Sequence, residues 1–369
     1  MIYLDHGATS FPKPAPVRRA MLEALDHCAN PGRGGHPAAM VAARTVYGCR
    51  REASEFFDCR PEQVIFTANC TQGLNVALRS MVRPGSRVVI SGFEHNAVTR
   101  TLHLLGAKIL VAGRRLFDPA DTLEEFRKVL ASGVDAAVFT HVSNVFGYIL
   151  PLGELAALCR SYGVPFAVDA AQSAGCLELS LRSLGADYIA MPGHKGLLGP
   201  QGTGILLCGA EPQPLMAGGT GSDSALQTMP DFLPDRLEPG TVNVPGIAGL
   251  AAGIRMVRRL GTDAILRRER AAVRQCAALL RRRGFRVFDG IPQTGTVSFL
   301  PGEDCEAFAE KMARRGIALR AGLHCAPLAH ESAGTLQTGT VRVSFGHDAS
   351  DAKTAALIQA VTKGMPRKS

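Results

Sequence analysis

From about residue 35 onward helical and strand patterns alternate, the strands being short apolar or β-branched runs bounded by polar or glycine-rich turns. The runs are "QVIFTA", "RVVISG", "KILVAG", "DAAVFT", "VPFAVDAAQ", "ADYIAMPG" and "GTGILLCG". Between them stand helical patterns such as "TQGLNVALRSMV" and "LGELAALCRSYG", with "HPAAMVAARTVYGCRREASEFF" ahead of the first. Such short buried runs separated by helices build a mostly parallel α/β sheet. After "GTVNVPGIAGLAAGIRMVRRLG" the order changes to long helices, then "FRVFDG", "GTVSFLP", a helix, "IALRAG", "TVRVSFG" and a terminal helix, which is an α+β pattern. The expectation is a large α/β domain over 14–245 and a smaller α+β domain over 246–369, which the N-terminal segment 1–13 joins.

Several function classes drop out on composition. The formal charge of +9 comes partly from "RRERAAVRQCAALLRRRG" at 267–284, but no nucleic-acid motif or stacking aromatic accompanies it, so a solvated helix face is expected and no nucleic-acid partner. The ten cysteines stand singly without a C-x-x-C pair, so most are expected to be reduced core thiols rather than a disulfide framework. The start "MIYLDHGATSFPKP" lacks a basic end and an apolar run, and no apolar stretch reaches the roughly 18 residues of a membrane span. A cytoplasmic protein with no membrane partner is the expectation.

In open α/β sheets ligands sit beyond the carboxyl ends of the strands, and here those positions are unusually polar. Thr71 follows one run at a helix start, His95 another, then come Asn144, Asp169 with Gln172, and His194 with Lys195. A lysine just past an apolar strand can form an imine with an aldehyde if its site is partly desolvated. An aspartate at the end of a different strand can pair with a protonated ring nitrogen, so that a pyridinium acts as an electron sink. Together they point to pyridoxal phosphate. "NCTQG" at 69–73 offers the phosphate a hydroxyl and the N–H groups of a helix N-terminus. His95 can lie flat on the ring, and Gln172 can donate to its phenolic oxygen.

"RAGLHCAPLAH" at 320–330 leaves Cys325 as nucleophile, metal ligand or buried thiol on residue type alone. A metal site from His324, Cys325 and His330 lacks a second ligand pair at zinc spacing, so no metal is expected.

With these residues in view, the sequence closely resembles the class V aminotransferase-like pyridoxal phosphate enzymes of fold type I, and among them the cysteine desulfurases and selenocysteine lyases. The resemblance runs in order through "YLDHGATSFPKP" (3–14), "NPGRGGHP" (30–37), "FTANCTQGLNVAL" (66–78), "EHNAV" (94–98), "HVSNVFGYILPL" (141–152), "VDAAQSAG" (168–175), "GHKGLLGPQG" (193–202), "EPGTVNVPGIAGL" (238–250), "RAGLHCAPLAH" and "VRVSFG" (341–346). It implies Lys195 as the imine-forming lysine and base, Asp169 as the pyridinium partner, Gln172 at the ring oxygen and His95 on the ring. It implies Thr71, the backbone at Cys70, and His194 around the phosphate, with Thr241 reaching the cofactor of a second subunit in a homodimer. Asn144 and Arg342 would hold the substrate carboxylate, and Cys325 would take sulfur from L-cysteine as a persulfide, leaving L-alanine.

Arg320 and His324, if they face Cys325, would lower its thiol pKa. A sulfur-acceptor protein or a reductant would then clear the sulfur. Selenocysteine lyase, another lyase or transaminase of the class, and a non-catalytic scaffold are the rival readings. One departure stands out: where the family usually has Ser or Thr two residues before the histidine of "GHK", this chain has Pro192, which supplies neither hydroxyl nor N–H. Gln72 replaces a frequent Glu, with no evident consequence.

Overall fold

The computed structural model describes residues 1–32 and 34–362; Arg33 of the 30–37 motif and residues 363–369 of the expected small domain lie outside them. In order the elements are β1 (Ile2–Tyr3), α1 (Ala15–His27), α2 (Pro37–Phe56), β2 (Val64–Thr67), α3 (Cys70–Met81), β3 (Arg87–Ser91), α4 (Asn96–Leu104), β4 (Lys108–Ala112), α5 (Pro119–Ala131), β5 (Ala136–Thr140), α6 (Leu152–Ser161), β6 (Phe166–Asp169), α7 (Leu181–Leu184), β7 (Tyr188–Pro192) and β8 (Gly204–Cys208). Then come α8 (Val244–Leu260), α9 (Thr262–Arg282), β9 (Arg286–Phe288), β10 (Thr296–Leu300), α10 (Cys305–Arg314), β11 (Ile317–Ala318), β12 (Arg320–Gly322), α11 (Pro327–Ala333), β13 (Thr340–Ser344) and α12 (Asp351–Thr362).

Seven strands form one sheet in the order β2-β8-β7-β6-β5-β3-β4. All the pairings from β7 to β4 are parallel, and β8 runs antiparallel to both its neighbours. Every residue of β2, β5, β6, β7 and β8 is buried, as strands covered on both faces require. Leu74 and Leu78 of α3 with Val98 and Leu102 of α4 cover one face. Phe57, Phe126 and Leu130 of α5, Leu155 of α6, and Ile247 and Leu250 of α8 cover the other. From β3 the chain steps outward to β4, whereas from β5 it steps the opposite way to β6 and β7. The loops leaving β3 and β5 therefore part at the switch point where such sheets bind ligands.

The second unit is the antiparallel sheet β12-β13-β10-β9 with α9, α10 and α12 packed on it. Leu4 is buried in this core beside Phe299, Val343 and Met312, and β1 pairs in parallel with β11. Helix α8 packs instead on α1 and α2 of the large unit. The change of unit expected at residue 245 therefore lies one helix later, at Gly261 between α8 and α9, because the buried stripe of α8 fits the large-sheet core. Among the described residues no helix is long and apolar enough to cross a membrane.

Candidate active site

Asp169 ends β6, and in the sheet register it stands opposite Thr140, the last residue of β5. Around these strand ends Cys70, Thr71, His95, Asn144, Asp169, Gln172, His194 and Lys195 line one cleft with about 110 Å³ of free volume. Eight residues distant in sequence thus converge because each directly follows a strand of the same sheet.

Each side chain has a local reason for its place. Asn69 caps α3 by accepting from the Gln72 amide (2.9 Å), so the amides of Cys70 and Thr71 sit in the first turn without intrahelical acceptors. The buried Cys70 thiol lies 3.5 Å from Asp169 Oδ1, which also accepts from the Ala171 amide (2.8 Å). His95 caps α4: its Nδ1 accepts from the Ala97 amide (3.0 Å), which leaves the ring proton on Nε2. Burial holds its pKa below the ordinary histidine value, with Asp169 pulling the other way. Burial likewise lowers the Lys195 pKa, and Asp169 again opposes. The Lys195 turn passes close to the 174–175 turn: a Cβ on Gly175 (φ +98°) would strike the Gly196 carbonyl, and one on Gly196 the Ala174 carbonyl.

The second unit closes the site from above. Arg342, 1% exposed on β13, donates through Nη2 to Asp5 Oδ1 (2.6 Å) and through Nη1 to Asn144 O (2.9 Å), while its Nε is buried without a partner. Asn144 Nδ2 donates to His324 O (2.7 Å), and Asn96 N, at the start of α4, donates to Cys325 O (2.7 Å). His324 and Cys325 both adopt left-handed backbone (φ +50° and +58°), a conformation that costs non-glycine residues about 1–3 kcal/mol each. The two carbonyl tethers hold this turn, and Cys325 is exposed.

The structure amends one expectation. His324 does not supply positive charge to Cys325: it is buried, its ring meets the Thr340 carbonyl (3.1 Å), and burial drives its pKa well below the ordinary value. Of the two groups named for that purpose, Arg320 alone remains charged, exposed on β12 directly opposite Arg342. Gln172 commits one amide hydrogen to Gly7 O (2.9 Å), so only its second faces a ligand. Thr241 is not brought to this cleft. It is exposed beside a second cleft with Thr67, Gln72 and Gly202. The adjoining Glu238 is anchored by Arg50 (3.0 and 2.8 Å) and by the Phe66 amide (2.7 Å).

Sequence reasoning passed over Asp5 and Glu94, although both stood inside quoted motifs. Glu94 is fully buried between strand ends, accepting from Ser91 Oγ and from the Thr140 amide (2.8 Å), with Oε2 unpartnered. Burial pushes its carboxyl from 4.5 up to about 8. The folded protein thus holds this proton more tightly than the unfolded chain, and its contribution to stability is lost as pH rises from about 4.5 to about 8. Glu94→Gln, which keeps the shape without the ionisation, is expected to flatten the decline of Tm over that pH window relative to wild type. Thermal melts in a series of buffers measure it; parallel curves for the two proteins would contradict the assignment.

A mostly parallel sheet covered on both faces, with a lysine and an aspartate brought to adjoining strand ends, is the arrangement of the fold type I class of pyridoxal phosphate enzymes. The Aminotransferase class-V family matches residues 2–357, and the chain is 32% identical to a probable cysteine desulfurase of Methanothermobacter thermautotrophicus, covering 93% of this chain and 90% of that one. The solved apo structure of a cysteine desulfurase from Thermococcus onnurineus superposes with a TM-score of 0.90 at 30% identity, over 98% of this chain and 94% of the other. The Escherichia coli cysteine desulfurase CsdA shares the fold, with a TM-score of 0.86 at 24% identity over 98% of this chain and 94% of that one. The chain belongs to the class V aminotransferase family and, within it, to the cysteine desulfurases.

Proposed function

We propose that this protein converts L-cysteine to L-alanine, with pyridoxal phosphate in the cleft and Cys325 taking the sulfur as a persulfide. The observation that carries this reading is the exposed Cys325, in a turn tethered through backbone carbonyls to Asn144, which lines the Lys195–Asp169 cleft, and to Asn96, next to the lining residue His95. Relatives such as the Methanothermobacter and Thermococcus proteins are described as a probable cysteine desulfurase and a cysteine desulfurase, which supports the substrate.

The donor set fits the cofactor. The amides of Cys70 and Thr71, the Thr71 hydroxyl and His194 suit the phosphate; His95 and Ala171 suit the ring faces; Asp169 suits a ring N–H, and Gln172 a phenolic oxygen. When bound there, pyridoxal phosphate supplies an electrophilic aldehyde and an electron-accepting ring. The chain's own residues supply the rest. Lys195, whose pKa burial lowers, is the amine placed to take the substrate's Cα proton. Arg342 gives one hydrogen of each terminal nitrogen to Asp5 and Asn144 O, so an incoming carboxylate has the second hydrogens of those nitrogens, the Nε–H and the free amide hydrogen of Asn144 to meet.

In the sulfur step the Cys325 thiolate attacks the substrate Sγ. The S–S bond forms as the Cβ–Sγ bond breaks, and the released electron pair stays with the carbon skeleton, which a proton completes as alanine. A thiol reductant or an acceptor protein removes the outer sulfur. Thr241, exposed and away from its own chain's cleft, supports a homodimer in which it reaches the second subunit's cofactor. Free cysteines, most of them buried, fit a reducing cytoplasm.

The test is alanine formed from L-cysteine, in dithiothreitol, beside turnover of L-selenocysteine. Alanine from both amino acids is expected. Turnover of selenocysteine alone would make the protein a selenocysteine lyase, and a keto acid in place of alanine would make it a transaminase.

A further inference from the structure

The carbonyl of His194, one bond from Lys195 in the chain, is crowded with donors from the N-terminal segment. Ser10 N (2.9 Å), Ser10 Oγ (3.1 Å), Lys13 Nζ (2.8 Å) and Thr9 Oγ1 (3.0 Å) all lie within hydrogen-bond distance of it. A carbonyl oxygen has two lone pairs, so the four cannot all be served at once. Lys13 Nζ also donates to Ser10 Oγ (2.8 Å), which fixes Ser10 as a donor toward the carbonyl. Thr9 Oγ1, which Lys13 Nζ also approaches (3.5 Å), is the one hydroxyl of the group with a ring nitrogen as its alternative acceptor, His194 Nδ1 at 3.1 Å.

We propose that Ser10 and Lys13 saturate the His194 carbonyl so that the Thr9 hydroxyl donates to His194 Nδ1, fixing the ring proton on Nε2, where it can donate to an anionic phosphate. Thr9 and Lys13 are then positioning residues acting through His194. The inference rests on the reading of His194 as a phosphate ligand.

The tautomer matters because the ring carries a single proton: burial lowers the His194 pKa to about 4, so the imidazole is neutral. With the proton on Nδ1, a neutral ring presents a lone pair to the phosphate and repels it; with the proton on Nε2 it donates. The departure at Pro192 raises the weight on this bond. The position two residues before His194 has neither hydroxyl nor N–H to offer, and within this chain's own cleft the groups left to meet the phosphate are the α3 amides, Thr71 and His194. The N-terminal segment holds the clamp in place from both sides, since Asp5 is paired with Arg342 and Gln172 donates to Gly7 O.

The experiment measures equilibrium binding of pyridoxal phosphate and of pyridoxal, which lacks the phosphate, to the full chain stripped of cofactor with hydroxylamine. Wild type, Thr9→Val, Thr9→Ser and Lys13→Met are compared. Thr9→Val and Lys13→Met are expected to weaken pyridoxal phosphate by at least about tenfold, the effect of one lost hydrogen bond to a charged group. Pyridoxal binding stays within about twofold, and Thr9→Ser, which keeps the hydroxyl, binds as wild type does. Equal weakening of both ligands, or none, overturns the proposal. If wild type itself binds pyridoxal phosphate no more tightly than pyridoxal, the phosphate reading of His194 fails instead. The nitrogen NMR spectrum of ¹⁵N-histidine-labelled wild type gives the tautomer without any variant: an Nδ1-protonated His194 overturns the proposal.

Discussion

With Cys325 replaced by alanine, alanine production from L-cysteine in dithiothreitol is expected to fall at least about a hundredfold, which corresponds to roughly 2.7 kcal/mol of lost transition-state stabilisation. The expectation follows from the assigned chemistry, since without a thiolate the substrate Cβ–Sγ bond has no sulfur acceptor on the protein. It does not follow from damage to the fold. Cys325 is exposed, and surface substitutions of this kind change stability by only about 0.5 kcal/mol. An unchanged Tm beside the lost rate is therefore part of the prediction. Mass spectrometry after a single turnover without reductant should find one extra sulfur on the Cys325 peptide of wild type. Equal alanine rates for the two proteins would make Cys325 a bystander. Turnover of selenocysteine should suffer less in the variant, because a selenol leaves and ionises more readily than a thiol.

A larger effect is expected at Lys195. Removing a positioned general base costs roughly 10²–10⁴ in rate, and Lys195→Ala also removes the amine that would bind the cofactor covalently. Turnover should drop below detection, while the variant still binds pyridoxal phosphate reversibly through the phosphate and ring contacts. Gel filtration separates the cases: wild type reduced with borohydride should keep the cofactor on the Lys195 peptide, and the variant should lose it. Arginine should not restore activity, since a guanidinium stays charged at any working pH and cannot serve as the base. Residual turnover in Lys195→Ala above about one hundredth of wild type would move the base elsewhere.

Much of this site was legible because parallel sheets turn order along the chain into proximity. Once the buried runs were recognised, Asp169, His95, Asn144 and Lys195 could be placed together from their positions directly after strands. Helix α8 was misassigned because its apolar pattern reveals that it is buried but not against what, and "VPGIAGLAAGIRMVRRL" reads the same on either core. The charge state of His324 was misjudged for a related reason: its spacing places it beside Cys325, but the depth that neutralises it is a tertiary property. Asp5 and Lys13 were quoted in a motif without roles because their partners, Arg342 and the His194 carbonyl, lie 337 and 181 residues further along the chain.

That separation bears on when the site comes into being during synthesis. Residues 2–13 are translated long before β11 and β13, yet Tyr3 pairs beside Ala318, Asp5 holds Arg342, and the Gly7 amide donates to Ser344 Oγ (2.8 Å). The large sheet can assemble on the ribosome without them, since its strands end at Cys208. Arg342 cannot be seated against Asp5 until the ribosome has passed residue 344, and closing so long a loop comes late in folding. A chain broken off before that point therefore has its lysine in place but lacks Arg342, the residue proposed to hold the substrate carboxylate.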